Sequence, residues 1–320
     1  METISFVIPC YRSEKTIGTV VDEIKGIFAE QEEFDYEIIL INDYSPDNVW
    51  SVIKQLSEDP KIKGVCLAKN FGQASAVMAG YSQVSGDYVV TVDDDGQSPL
   101  DSMMAALKLL KEKEYDVVYG TCTEAKFNIF RRIGSKINGW MAKVMFERPS
   151  TERVVSLSVA RRFVIEEMLR YEHSYPYISG LVYRTTRNIG YLPVQHRKRM
   201  MGTSGYSFKK LVKVWLNGFT AFSIKPLRMA TVLGFVTSIL GLACALVTII
   251  NKLIHPNVAI GWSSTISVTL ILGGIILLVL GMIGEYLGRI YMCINQTPQY
   301  VIREKLNLSV KHEDNRRDCE

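Results

Sequence analysis

Three consecutive carboxylates, Asp93-Asp94-Asp95, end the run Tyr88-Val89-Val90-Thr91-Val92 and lead into Gly96-Gln97-Ser98-Pro99. The β-branched and aromatic run reads as a buried strand. An ionised carboxylate costs several kcal/mol to desolvate unless a cation compensates it, so three adjacent acids belong at the strand's mouth and not in a core. Alternating side-chain direction sends Asp93 and Asp95 one way and Asp94 another. Paired oxygen donors at the carboxyl end of a strand suit a hard divalent cation holding a diphosphate. On its own the motif fits a solvated acidic turn before a Pro-started helix equally well.

The elements that would position these acids are legible upstream. Ile4–Ile8 reads as a first strand, with Ser13 as N-cap of a helix to about residue 30. Glu37–Ile41 reads as a second, ending at Asn42-Asp43-Tyr44-Ser45-Pro46-Asp47. Val65–Ala68 reads as a third, and Asn70-Phe71-Gly72-Gln73 opens a helix of small residues through Ser82. Strands alternating with helices predict a parallel, doubly wound α/β sheet. No Gly-x-Gly-x-x-Gly follows the first strand and no P-loop occurs, which argues against a dinucleotide dehydrogenase or a P-loop enzyme. Nucleotide recognition would then fall to side chains at strand ends, where Pro9, Tyr11, Glu14, Asp43 and Asp95 stand.

The later chain changes character. From Met229 to Gly284 the single charged residue among Lys, Arg, Asp and Glu is Lys252. Two stretches, about 230–250 and 263–284, each reach the roughly 20 apolar residues that cross a bilayer and predict a transmembrane hairpin over 229–288. A soluble core helix seldom stays uncharged on every face for that length. Lys225, Arg228 and Arg289 flank the hairpin, predicting both of its ends on the cytoplasmic side. Residues 197–228 hold eight Lys or Arg and no acid, a basic surface suited to a membrane; the neighbouring spans set aside nucleic acid as its partner. Tyr206–Phe222 and Phe127–Phe146 read as interfacial amphipathic helices. The six cysteines are scattered, indicating neither disulfides nor a zinc site. Met1 leads straight into a strand without a signal segment.

In order and spacing, Ile8-Pro9-Cys10-Tyr11-Arg12-Ser13-Glu14, Asn42-Asp43-Tyr44-Ser45-Pro46-Asp47, Asn70-Phe71-Gly72 and Asp93-Asp94-Asp95-Gly96-Gln97 resemble the family-2 glycosyltransferases of GT-A fold. Within that family the chain is similar to dolichyl-phosphate mannose synthases and bacterial undecaprenyl-phosphate sugar transferases. The resemblance implies a GT-A (Rossmann-like, mostly parallel) domain over 1–204, an interfacial helix over 205–228, the hairpin, and a cytoplasmic tail over 289–320. It implies Asp93, Asp95 and Gln97 as ligands of Mg2+ or Mn2+, and Pro9, Tyr11, Glu14, Asp43, Asp94 and Ser204 as donor-binding residues. Arg197 and Arg199 would act at the diphosphate with Asp93 and Asp95, and Arg131, Lys136 and Arg197 would take the acceptor phosphate. Two departures fall on the acceptor side: Tyr119-Gly120-Thr121-Cys122 lacks an expected Arg, and Glu152 stands where relatives commonly have Asp.

The implied reaction is inverting transfer of a sugar from a nucleotide sugar, expected to be UDP-linked, to polyprenyl (undecaprenyl) phosphate at the cytoplasmic face of a bacterial inner membrane. Its needs are a cation for the leaving diphosphate and further positive groups for the entering phosphate. A phosphate monoester is largely ionised near neutral pH, so no histidine base is required, and His196 is read as a solvated strand-end residue. A homo-oligomer, by resemblance a tetramer, is expected through the hairpin, and deletion after Arg228 is expected to leave a nucleotide-binding monomer. Two alternatives remain open: a polysaccharide synthase, and a non-catalytic scaffold built on a degenerate nucleotide-sugar domain.

Overall fold

The apolar runs at the start of the chain become parallel strands. The computed structural model describes residues 1–29, 33–122, 153–195, 225–254, 261–295 and 297–308. Strands β1 (Glu2–Cys10), β2 (Phe34–Asn42), β3 (Ile62–Leu67) and β4 (Tyr88–Val92) are joined by helices α1 (Ile17–Ala29), α2 (Val49–Leu56) and α3 (Gln73–Tyr81). β1 lies between β2 and β4 and runs parallel to both, with Ile8 opposite Leu40 and Ile4 opposite Tyr88. Both faces of these strands are covered, so their sequences are almost continuously apolar instead of alternating. On one face Phe6, Ile8 and Leu40 join α1 residues such as Ile24 in the core. On the other, α3 comes so close that a Cβ placed on Gly80 would meet Val7 Cγ1 at 2.5 Å and Ile41 Cδ1 at 2.7 Å.

A short 3-10 turn and α4 (Met103–Glu112) follow, then β5 (Val117–Cys122), β6 (Arg153–Arg161), α5 (Arg162–Leu169), α6 (Ile178–Thr185) and β7 (Ile189–Pro193). The sheet order is β7-β5-β6-β4-β1-β2-β3-β8, where β8 is Ile302–Leu306. β6 runs antiparallel to β4 and β5, and β8 antiparallel to β3; the other strands share one direction. The α/β, mostly parallel expectation holds, and the two reversed strands are additions to it. β8 comes from the stretch read as a tail, and its alternation of Ile302, Arg303, Glu304, Lys305 and Leu306 suits a half-solvated edge strand.

One local expectation changes. Ser13 does not cap α1 directly: the helix starts at Ile17, and it is the Ser13 carbonyl that accepts the N–H groups of Thr16 and Ile17, at 3.1 and 3.0 Å. Pro226 lies in the first turn of α7 (Lys225–Ile254), where a missing N–H is no loss.

The chain divides into two compact units, residues 1–205 with 298–320 and residues 206–297. In the second, α7 and α8 (Trp262–Ile294) pack on each other. Only Ile271–Gly288, mean hydropathy 2.0, is long and apolar enough among the described residues to cross a membrane, and Ala230–Ala243 is a shorter apolar stretch. The first expected span therefore falls short of the second in apolar length. Along both helices large side chains such as Phe235 and Leu277 are exposed.

Candidate functional site

The carboxyl ends of β1, β2 and β4 carry three loops that are laced together by hydrogen bonds. Ser45 Oγ accepts the Arg12 N–H at 2.8 Å, Asp47 Oδ2 accepts the Glu14 N–H at 3.0 Å, and Glu14 Oε2 accepts the Asn48 N–H at 2.9 Å. Glu14, expected to bind donor, thus already uses one oxygen to join the first loop to the second. Arg12 and Tyr44 hold the left-handed backbone at φ 60° and 49°, a conformation that costs a non-glycine residue free energy and is kept where surrounding bonds fix it. Tyr11 and Tyr44 are exposed beside these turns, with the Arg12 guanidinium 5.6 Å from the centre of the Tyr11 ring. Pro9 is buried in β1, two residues beyond Val7, the last to pair with β4.

The three acids are held by three different donors. Asp93 Oδ1 accepts from Gln73 Nε2 at 2.8 Å, Asp94 Oδ2 from the Tyr11 N–H at 2.9 Å, and Asp95 Oδ1 from the Gln97 N–H at 3.1 Å. The turn is closed from within: Ser98 Oγ accepts the Asp93 N–H at 3.0 Å and donates to the Ser156 carbonyl of β6 at 3.0 Å. Gly96, at φ 71°, makes that reversal possible without a Cβ penalty. Burial, then the Asp95 charge, and less strongly the Asp94 charge, push Asp93 up to about 6, against the hydrogen bonds of Ser156 and Gln73. Burial also raises Asp94, offset in part by the Tyr11 N–H.

Asp43 is buried, and both carboxylate oxygens are engaged, with Phe71 N–H at 2.7 Å and Gly72 N–H at 2.9 Å. Burial raises its pKa against those two bonds. It holds the loop before α3 as well as standing at the expected base or ribose position. Sequence reasoning missed Gln73, Ser98 and Ser156, each a neutral polar residue whose spacing from the acids carries no signal without the fold. Arg131, Lys136, Glu152, His196, Arg197, Arg199 and Ser204 lie outside the described residues, as do the two expected interfacial helices.

A hard divalent cation fits this donor set. Asp93 and Asp95 offer carboxylate oxygens, and burial followed by the like charge of Asp95 pushes Asp93 up, a stress that a bound cation would relieve. Among the described residues no three His, Cys, Asp or Glu side chains close into a cage of their own. Asp93 and Asp95 could hold such an ion by one or two carboxylates, with phosphate oxygens completing its shell.

Residues 5–169 match the family model described as glycosyl transferase family 2, and residues 225–290 one described as GtrB C-terminal hairpin. The chain is 30% identical to the undecaprenyl-phosphate 4-deoxy-4-formamido-L-arabinose transferase of Photorhabdus laumondii, over 95% of this chain and 94% of that protein. It is 29% identical to an uncharacterised glycosyltransferase of Bacillus subtilis, over 96% and 95%. Among solved structures, mannosyl-3-phosphoglycerate synthase from Rubrobacter xylanophilus is similar at a TM-score of 0.52 and 14% identity, over 71% of this chain and 74% of that one. At such identity the structural likeness concerns the fold alone, which is GT-A-like.

Proposed function

The chain belongs to glycosyl transferase family 2, and we propose that this glycosyltransferase moves a sugar, with inversion, from a nucleotide sugar to a polyprenyl phosphate at a membrane. The observation that carries the donor half is the half-buried pair Asp93 and Asp95 at the mouth of the parallel strands, beside the loops of β1 and β2. A bound Mg2+ or Mn2+ would neutralise charge on the leaving diphosphate. Asp93, Asp95 and the amide oxygen of Gln97 would hold it. Tyr11 and Tyr44 would flank the base, with UDP the expected carrier. Asp94 keeps Tyr11 in place through its main-chain N–H. Arg131, Lys136, Arg197 and Arg199 would draw in the acceptor phosphate, and Ser204 would help bind the donor.

Full-length similarity to undecaprenyl-phosphate sugar transferases supports the lipid acceptor. So does a physical point about connectivity. β8 pairs with β3 after the chain has passed through α7 and α8, so the chain returns to the sheet it left. A segment that leaves and rejoins one domain crosses a bilayer an even number of times or not at all. One apolar span of full length therefore calls for a second, which favours α7 and α8 as a hairpin, and Lys225, Arg228 and Arg289 at its ends favour the cytoplasmic side for the sheet.

The test is transfer by the purified full-length protein in lipid nanodiscs, given undecaprenyl phosphate and a panel of labelled nucleotide sugars with and without Mn2+. Label extracted with the lipid, and lost on chelation, is the expected result. Label in a polymer would point to a polysaccharide synthase. No transfer from any donor, despite nucleotide binding, would favour a scaffold.

A further inference from the structure

We propose that Gln73 is a positioning residue for Asp93, fixing that carboxylate to receive the cation; this rests on the reading of Asp93 and Asp95 as cation ligands. Its side-chain amide donates to Asp93 Oδ1 at 2.8 Å. The opposite amide orientation would set two acceptor oxygens against each other, so the nitrogen faces the acid. An amide nitrogen is no ligand for Mg2+ or Mn2+. Gln73 therefore does its work by holding one carboxylate oxygen and thereby aiming the other.

The backbone carrying Gln73 is fixed for this purpose. Asp43, at the end of β2, accepts the N–H groups of both Phe71 and Gly72, while Asn70 Nδ2 donates to the Asp43 carbonyl at 3.0 Å. Gly72, at φ 92°, then turns the chain, and its carbonyl accepts the Ala76 N–H at 3.0 Å as α3 begins. Gln73 is thus the first residue of α3, tied to β2 on one side and reaching the end of β4 on the other. A partner that orients a ligating side chain typically contributes 10- to 100-fold in metal affinity. A carboxylate at position 73 would repel Asp93, and an apolar side chain would leave it free to rotate.

The experiment titrates Mn2+ into the full-length protein in detergent and reads free Mn2+ by electron paramagnetic resonance. Gln73→Met keeps length and removes the donor; Asp95→Ala is the ligand control. Gln73→Met is expected to weaken Mn2+ binding about tenfold while leaving the thermal midpoint of the metal-free protein unchanged. Raising Mn2+ should restore transfer by Gln73→Met and not by Asp95→Ala. Wild-type Mn2+ affinity in Gln73→Met, with binding lost in Asp95→Ala, overturns this proposal alone. A wild-type chain that binds no Mn2+, or an Asp95→Ala variant that binds it normally, overturns the ligand reading and this proposal with it.

Discussion

At Asp93 the metal-free site holds a charge against its surroundings, because burial and the Asp95 carboxylate raise its pKa from the ordinary 3.8 to about 6. The folded state therefore binds this proton more tightly than the unfolded chain does. The resulting stabilisation is complete below about pH 4 and is lost as pH rises through about 6. Asp93→Asn should accordingly stabilise the metal-free protein at pH 7 by at most about 3 kcal/mol, seen as a higher melting temperature, and should flatten its pH dependence between 4 and 7. Added Mn2+ should raise the melting temperature of the wild type and leave that of the variant unmoved. A variant no more stable than wild type at pH 7 would show that the carboxylate is not under the stated stress.

Asp94 has a different task. Its bond to the Tyr11 N–H anchors the first loop, so Asp94→Ala should lose about 1 to 1.5 kcal/mol of loop positioning, seen as a roughly tenfold rise in donor KM. Asp94→Asn keeps an acceptor oxygen and should stay within about threefold. Steady-state kinetics that lower kcat equally in both variants would instead place Asp94 at the reacting atoms. The acid motif itself was legible from sequence, since desolvation forbids three adjacent carboxylates in a core. Which oxygen meets which donor was not, because Gln73 and Tyr11 lie 20 and 83 residues away in the chain.

Among the elements, α3 matters most to the site, since it begins at Gln73 and packs on β1 and β2 through Gly80. Filling that close approach, Gly80→Ala should force α3 outward and cost about 1–3 kcal/mol in denaturant unfolding. The same shift should weaken Mn2+ binding in a protein that is still folded. Unchanged stability would mean that Val7 and Ile41 give way at little cost. The four parallel strands were readable because burial on both faces writes a continuous apolar run. β6 and β8 were not, since an apolar pattern carries no strand direction, and β8 is half polar. Asn307, just after β8, shows how firmly that edge is joined: its side-chain amide donates to the carbonyls of Ser57, Asp59 and Ile62. Trp50 Nε1 adds a bond to Glu304 at 3.2 Å.

For the whole molecule, β8 alters how the hairpin's role can be tested. Deleting everything after Arg228, which sequence alone presented as a clean removal of the membrane part, also strips an edge strand from the sheet. The loss would leave the three carbonyls bound by Asn307 and the Trp50 indole without these partners, so the truncated domain should be unstable whatever the hairpin does. A substitution inside the helices separates the two effects. Cβ atoms placed on Gly234 or Gly241 of α7, or on Gly273, Gly274, Gly281 or Gly284 of α8, would meet nothing within 4 Å, so α7 and α8 do not need these glycines to pack on each other. Small residues let membrane helices from separate chains approach closely, the use we propose for them, although glycine is also common in membrane helices without such a role. Gly241→Leu with Gly281→Leu should therefore leave the protomer folded and shift a detergent-solubilised homo-oligomer, expected as a tetramer, toward monomer. Light scattering on the purified full-length pair reads this directly. An oligomer of undiminished size in the doubly substituted protein would move the assembly contact away from these glycines.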